Sequence, residues 1–145
     1  MVVKTQTNVY ETHYHFVFVT KYRKEIFTTD EKRQHMISIM KEISKNHDFE
    51  IEQIEVIKDH VHLMVTFKPK YSITEVVKKL KGSSARKWFL DYSETKEELW
   101  RGHLWTNSYY AGTLGSVSEN HVKKYIENQL TEYNNGRPRR DSSYD

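Results

Sequence analysis

Cysteine is absent from the chain, which excludes disulfides and thiolate metal sites. Any bound metal must then be held by imidazole, carboxylate, amide or hydroxyl groups. Proline occurs only at Pro69 and Pro138, and no repeat or low-complexity stretch breaks the chain, so nothing reads as an interdomain linker. No apolar run approaches a membrane span, and Met1-Val2-Val3-Lys4-Thr5 has no signal-peptide core; the expectation is a cytoplasmic protein with no membrane partner. A glycine-rich phosphate cradle is also missing, which argues against a nucleotide cofactor. What is present is ordinary for a globular protein: 145 residues, 37% hydrophobic and 30% charged. That length suits one domain with a sizeable core, expected over residues 1–134, followed by a disordered basic tail at 135–145.

The formal net charge of +3 says little, but its distribution says more. Seven basic residues (Lys68, Lys70, Lys78, Lys79, Lys81, Arg86, Lys87) face one acid, Glu75, between positions 68 and 87. Lys21-Tyr22-Arg23-Lys24 forms a second cluster, and Arg137, Arg139 and Arg140 a third. One such cluster alone reads better as a solvated helix face or a disordered end. Three of them, interleaved with aromatics, point to a polyanion such as nucleic acid.

Residues 13–20 (His-Tyr-His-Phe-Val-Phe-Val-Thr) are β-branched and aromatic and predict a strand. Thr28-Thr29-Asp30-Glu31 has a capping-box pattern, and Met36, Ile37, Met40 and Ile43 predict a helix running to about Asn46. Phe49 to Ile57 and His60 to Phe67 predict two strands joined by a tight hairpin at Lys58-Asp59. Ser72-Ile73-Thr74-Glu75 caps a second helix, which Gly82-Ser83-Ser84 should weaken, either for close packing or for approach to a ligand. The acidic stretch from Asp91 to Glu98 reads as a loop and Leu104 to Tyr110 as a fourth strand. Ser116-Val117-Ser118-Glu119 then opens a last helix carrying Val122, Ile126, Leu130 and Tyr133. This order defines an α+β, ferredoxin-like (RRM-like) split βαβ arrangement. It has an antiparallel sheet with helices on one face and an added C-terminal helix.

Alternation on the third strand puts Val61, Leu63, Val65 and Phe67 on one face and His60, His62, Met64 and Thr66 on the other. The apolar set must meet the helices, so both imidazoles project from the open face. Their Cα atoms lie about 6.6 Å apart, and imidazoles leaning together can reach one ion through bonds of about 2.1 Å. His-x-His alone is a weak signal, since His13 and His15 form a second such pair and two polar groups on a wet sheet face would look the same. Tyr125 and Gln129, four apart on the last helix, share one face offset from the apolar stripe. Beside a two-histidine site they would offer a nucleophile and a third ligand; alone, the tyrosine reads as packing at the core edge.

Taken together, these motifs resemble the single-tyrosine HUH transposases of short insertion sequences, named for histidine–hydrophobic–histidine. The matching segments are Lys21-Tyr22-Arg23, Asp59-His60-Val61-His62-Leu63 and Lys81-Gly82-Ser83-Ser84-Ala85-Arg86. Leu104-Trp105-Thr106-Asn107-Ser108-Tyr109-Tyr110, Thr113-Leu114-Gly115 and Tyr125-Ile126-Glu127-Asn128-Gln129 complete the set. The resemblance extends from about His13 to Leu130. It implies that His60, His62 and Gln129 hold a divalent ion, Mg2+ or Mn2+, and that Tyr125 is the nucleophile. It further implies a homodimer that cleaves and rejoins single-stranded DNA at hairpin-bearing element ends through a 5′-phosphotyrosine intermediate. Lys21, Tyr22, Arg23, Lys78, Lys81 and Arg86 are the candidate DNA contacts. A domesticated nuclease acting on dispersed repeats, a phosphodiesterase using activated water, and a non-catalytic nucleic-acid-binding module on the same fold are the alternatives. His13, His15 and His121 have no assigned role, although His15 lies on the strand expected beside the His60–His62 pair.

Overall fold

The computed structural model describes residues 3–4, 9–10, 13–99, 102–113 and 123–128. A short hairpin, β1 (Val3–Lys4) and β2 (Val9–Tyr10), which the sequence patterns did not signal, precedes the main sheet. The main sheet contains β3 (Tyr14–Val19), β4 (Phe49–Ile57), β5 (His60–Phe67) and β6 (Tyr110–Thr113), in the spatial order β4-β5-β3-β6. Every neighbouring pair is antiparallel, which is the predicted ferredoxin-like order.

Helix α1 (Asp30–Asn46) starts where Thr29 accepts a hydrogen bond from the Lys32 amide. The expected box on Thr28 is therefore displaced by one residue, and Asp30 and Glu31 sit instead in the first turn, where the helix dipole favours acids. Met36, Ile39, Met40 and Ile43 are its buried stripe. Helix α2 (Ile73–Asp91) carries the predicted capping box, with Ser72 and Glu75 each bonding the other's backbone amide. It runs unbroken through Gly82, and a Cβ built there would meet no atom within 4 Å. Close packing therefore does not explain that glycine.

The core lies between α1, α2 and one face of the sheet, where Phe16, Phe18, Val61, Leu63 and Val65 are essentially inaccessible. Cutting Leu63 to alanine there would cost roughly 2–5 kcal/mol. Trp88 and Trp105 are buried with satisfied indoles, donating to Thr95 Oγ1 and Ser84 Oγ, both at 3.0 Å. The Trp88–Thr95 bond helps to wind the acidic stretch, expected to be a loop, into a 3-10 turn at Ser93–Glu98.

The predicted fourth strand at 104–110 is corrected. Leu104 to Thr106 only brush the sheet, through a Thr20–Trp105 bridge and two backbone bonds of 2.8 Å, and regular pairing begins at Tyr110. Between them the carbonyls of Thr106 and Ser108 accept from Lys81 Nζ, at 2.6 and 3.1 Å. A lysine from α2 thus satisfies carbonyls that a strand would have spent on its neighbour, which local propensity cannot foresee. The expected capping box at 116–119 and the tail at 135–145 lie outside the described residues.

Candidate active site

The alternation of β5 has the predicted consequence. Val61, Leu63 and Val65 are fully buried, while His60, His62 and Met64 are half-buried on the opposite face. Antiparallel register carries that face across the sheet, because residues directly opposite each other point the same way. Tyr110 pairs with Val17, Val17 with His62 and His62 with Glu55, so these four form one transverse row. Val19 and Ile57 flank His60 in the next row.

His60 is held from behind. Its Nδ1 lies 2.9 Å from Asp59 Oδ1, and Asp59 Oδ2 accepts from Arg23 Nε at 2.8 Å. Burial would raise the Asp59 pKa, but hydrogen bonds from His60 and Arg23 outweigh it and hold the carboxyl below its ordinary value. Facing that carboxylate, His60 Nδ1 is the nitrogen that donates, and Nε2 is the one that a carboxylate–histidine–metal site would use.

The Arg23 position is itself held under tension. Tyr22 and Arg23 both have left-handed backbones, with φ of 60° and 55°. That conformation costs roughly 1–2 kcal/mol per non-glycine residue. It is offset by stitching to the hairpin turn: Thr20 N and Oγ1 donate to the Asp59 carbonyl, and Ile26 N and Phe27 N donate to that of Lys58. Strain of this kind, held by surrounding bonds, is common at functional sites.

His62 is set differently. Its Nε2 lies 3.1 Å from His15 Nδ1, and burial, then His15, push its pKa down against the opposing pull of Glu55. Burial lowers the pKa of His15 as well. A cavity of about 350 Å³ opens here, lined by His15, Gln53, Glu55, His62 and Met64. Two imidazoles, one oriented by a carboxylate, are a donor set that suits a divalent ion, although His15 occupies the His62 nitrogen such an ion would need. Among the described residues no group of three or more histidine and carboxylate side chains could hold a metal, and Gln129 lies outside them.

Tyr125 belongs to a helical segment at residues 123–128 and is half-buried. Its ring centroid is 5.9 Å from that of Tyr110, and its Oη is 2.9 Å from Ser108 Oγ. Since Tyr110 heads the transverse row, the phenol stands on the imidazole-bearing face. Two strand spacings, about 10 Å between Cα atoms, separate Tyr110 from His62 along that row.

The basic candidates divide. Lys78 and Arg86 are exposed on α2. They line a groove of about 720 Å³ with Phe49, Tyr71, Lys79 and Gly82, which neither His60 nor His62 lines. Lys21 is buried at 5% exposure, with its ammonium 5.6 Å from the Tyr22 ring centroid. Arg23 is tied to Asp59, and Lys81 is tied to the 106–108 backbone. The residues that reasoning from sequence missed are Asp59 and Ser108. Asp59 was signalled by a carboxylate directly preceding a candidate ligand histidine; Ser108 stood inside a matching motif with nothing to distinguish it.

Sheet, helices and histidine face together define a ferredoxin-like protein with a two-histidine site and a tyrosine on the same face. The model of the family "Transposase IS200 like" matches residues 8–129. The ISDra2 transposase TnpA of Deinococcus radiodurans is 37% identical over 121 residues, 83% of this chain and 86% of that protein. The transposase for insertion sequence element IS200 of Salmonella typhimurium is 30% identical over 119 residues, covering 82% and 77%. A crystal structure from Deinococcus radiodurans R1 superposes with a TM-score of 0.79 at 35% identity, covering 88% of this chain and 97% of that one. The chain belongs to the IS200-like transposase family, the single-tyrosine HUH family that its motifs resemble.

Proposed function

We propose that this protein is a transposase that cleaves and rejoins single-stranded DNA at insertion-sequence ends, with Tyr125 as nucleophile. The observation that carries the reading is the shared face: Tyr125 rests on Tyr110, and Tyr110 shares one transverse row with His62. In the step envisaged, Tyr125 Oη bonds to phosphorus as the bond from phosphorus to the 3′ oxygen breaks. The phenolic proton passes to water, and the departing oxygen takes a proton to become a 3′ hydroxyl. One phosphodiester replaces another, so the adduct conserves the bond energy and a second 3′ hydroxyl can reverse the reaction.

His60 and His62, with Gln129, are the proposed holders of Mg2+ or Mn2+. A bound ion would supply Lewis acidity at the phosphate and so favour a phenol whose ordinary pKa, near 10, makes it a weak nucleophile. Asp59 keeps His60 in the tautomer that presents Nε2. The hairpin-bearing strand and the homodimeric assembly belong to the same proposal. Lys78 and Arg86 are exposed cations available to its phosphates, which predicts affinity that falls with salt.

The test is to incubate the protein, manganese and a labelled hairpin-bearing strand and look for an adduct that survives denaturation. Tyr125→Phe is expected to abolish adduct and cleavage together. Cleavage that persists in this variant would favour activated water over tyrosine.

A further inference from the structure

We infer that Ser108 aims the Tyr125 hydroxyl for attack and that Lys81 holds Ser108 in the position from which it does so. The inference rests on the reading of Tyr125 as nucleophile. It begins with a lysine in an unusual place. Lys81 stands in the middle of α2, yet its ammonium is turned inward, giving charge-assisted bonds to the carbonyls of Thr106 and Ser108 at 2.6 and 3.1 Å. The rings of Phe18 and Tyr109 lie 5.9 and 5.8 Å from the same nitrogen. Residues 106–109 are thus folded around one half-buried cation. Burial and the nearby Lys21 bring its pKa down to about 8, so at neutral pH the ammonium form still predominates.

A lysine that merely stapled a loop would need nothing from the loop's side chains. Here the loop presents one to the candidate nucleophile, Ser108 Oγ at 2.9 Å from Tyr125 Oη. Among the described residues, Tyr110 meets the ring of the phenol and Ser108 its oxygen. In-line attack requires the oxygen within about 3–3.5 Å of phosphorus in the right direction, and a misplacement of about 1 Å can cost a hundredfold in rate. Ser108 touches the reacting oxygen and is in that sense catalytic. Lys81 acts through it and is a positioning residue.

The experiment measures single-turnover adduct formation on a manganese-loaded, saturating hairpin strand, DNA affinity on the same strand in chelator, and thermal melting. Ser108→Ala is expected to slow adduct formation about tenfold, the loss of one hydrogen bond, with affinity and melting unchanged. Ser108→Thr, which keeps a hydroxyl, should restore most of the rate. Lys81→Met should reproduce the slow rate, and the double variant should be no slower than Lys81→Met alone, because both remove one contact. A wild-type rate for Ser108→Ala, or losses that multiply in the double variant, would overturn the inference. If Lys81→Met does not melt cooperatively, the Ser108 pair decides alone. Tyr125→Phe run in parallel separates the two levels. Surviving cleavage there sinks the nucleophile and this inference with it, whereas lost cleavage beside an unaffected Ser108→Ala sinks only the inference.

Discussion

The chain contains two histidine pairs of identical spacing on neighbouring antiparallel strands, His13 and His15 at the start of β3 and His60 and His62 on β5, and they are used differently. His60 is backed by Asp59 and, behind it, Arg23. His13 is buried against Glu52, whose other oxygen accepts from Thr66 Oγ1 at 2.6 Å. Glu52 lies where the register of β4 against β5 slips between Ile51 and Gln53. His60 is therefore engaged by a carboxylate at Nδ1, while His13 turns its Nδ1 into a buried polar contact. His15 belongs to neither pattern, because it bonds His62 across the strand. Spacing alone does not separate the pair proposed to hold a metal from the other; the partners of each imidazole do.

The largest expected effect that tests this contrast is at His60 and His62. His60→Ala or His62→Ala should reduce manganese-dependent adduct formation at least about a hundredfold with melting little changed. Equal losses in His13→Ala would erase the distinction between the pairs. Next comes Asp59→Asn, which keeps the shape but not the charge behind His60. The manganese concentration giving half-maximal cleavage should rise about 10–100-fold. Arg23→Lys loses the Nε contact while keeping the charge, and a rise of about threefold to tenfold in the same midpoint is expected. The smallest effect on catalysis belongs to His13→Ala, with cleavage within about threefold of wild type. Its cost should appear in denaturant unfolding, as roughly 1–3 kcal/mol from leaving Glu52 without that partner.

Where the chain's own periodicity was the cause, the sequence was legible. Phe49–Ile57 and His60–Phe67 occur at the predicted bounds, as does the Ser72 capping box, because alternation and capping are short-range and each face of β5 has one place to go. Misreadings arose where a distant residue intervened. Leu104–Tyr110 has strand-like composition, but Lys81 claims two of its carbonyls. The acidic run before it was read as a loop and is wound by a bond from Trp88 to Thr95. Gly82 marked neither a break nor a tight contact, and it opens onto the groove beside Lys78 and Arg86. Lys21 and Lys81 counted equally with Lys78 as surface charge in the sequence, although one is buried and the other engaged inside.

The sequence by itself determined the order of elements, the face on which His60 and His62 stand, and the family, since all three follow from residue types at fixed local spacings. Tertiary structure alone decided that Glu52 meets His13, that His15 reaches His62, and that Lys81 and Ser108 meet the loop and the phenol. Those relations join residues 17 to 47 positions apart, and one is made by Glu52, where the register of β4 slips. Local periodicity can direct a side chain to a face; only the closed sheet, with its strands in one register, determines what it meets there.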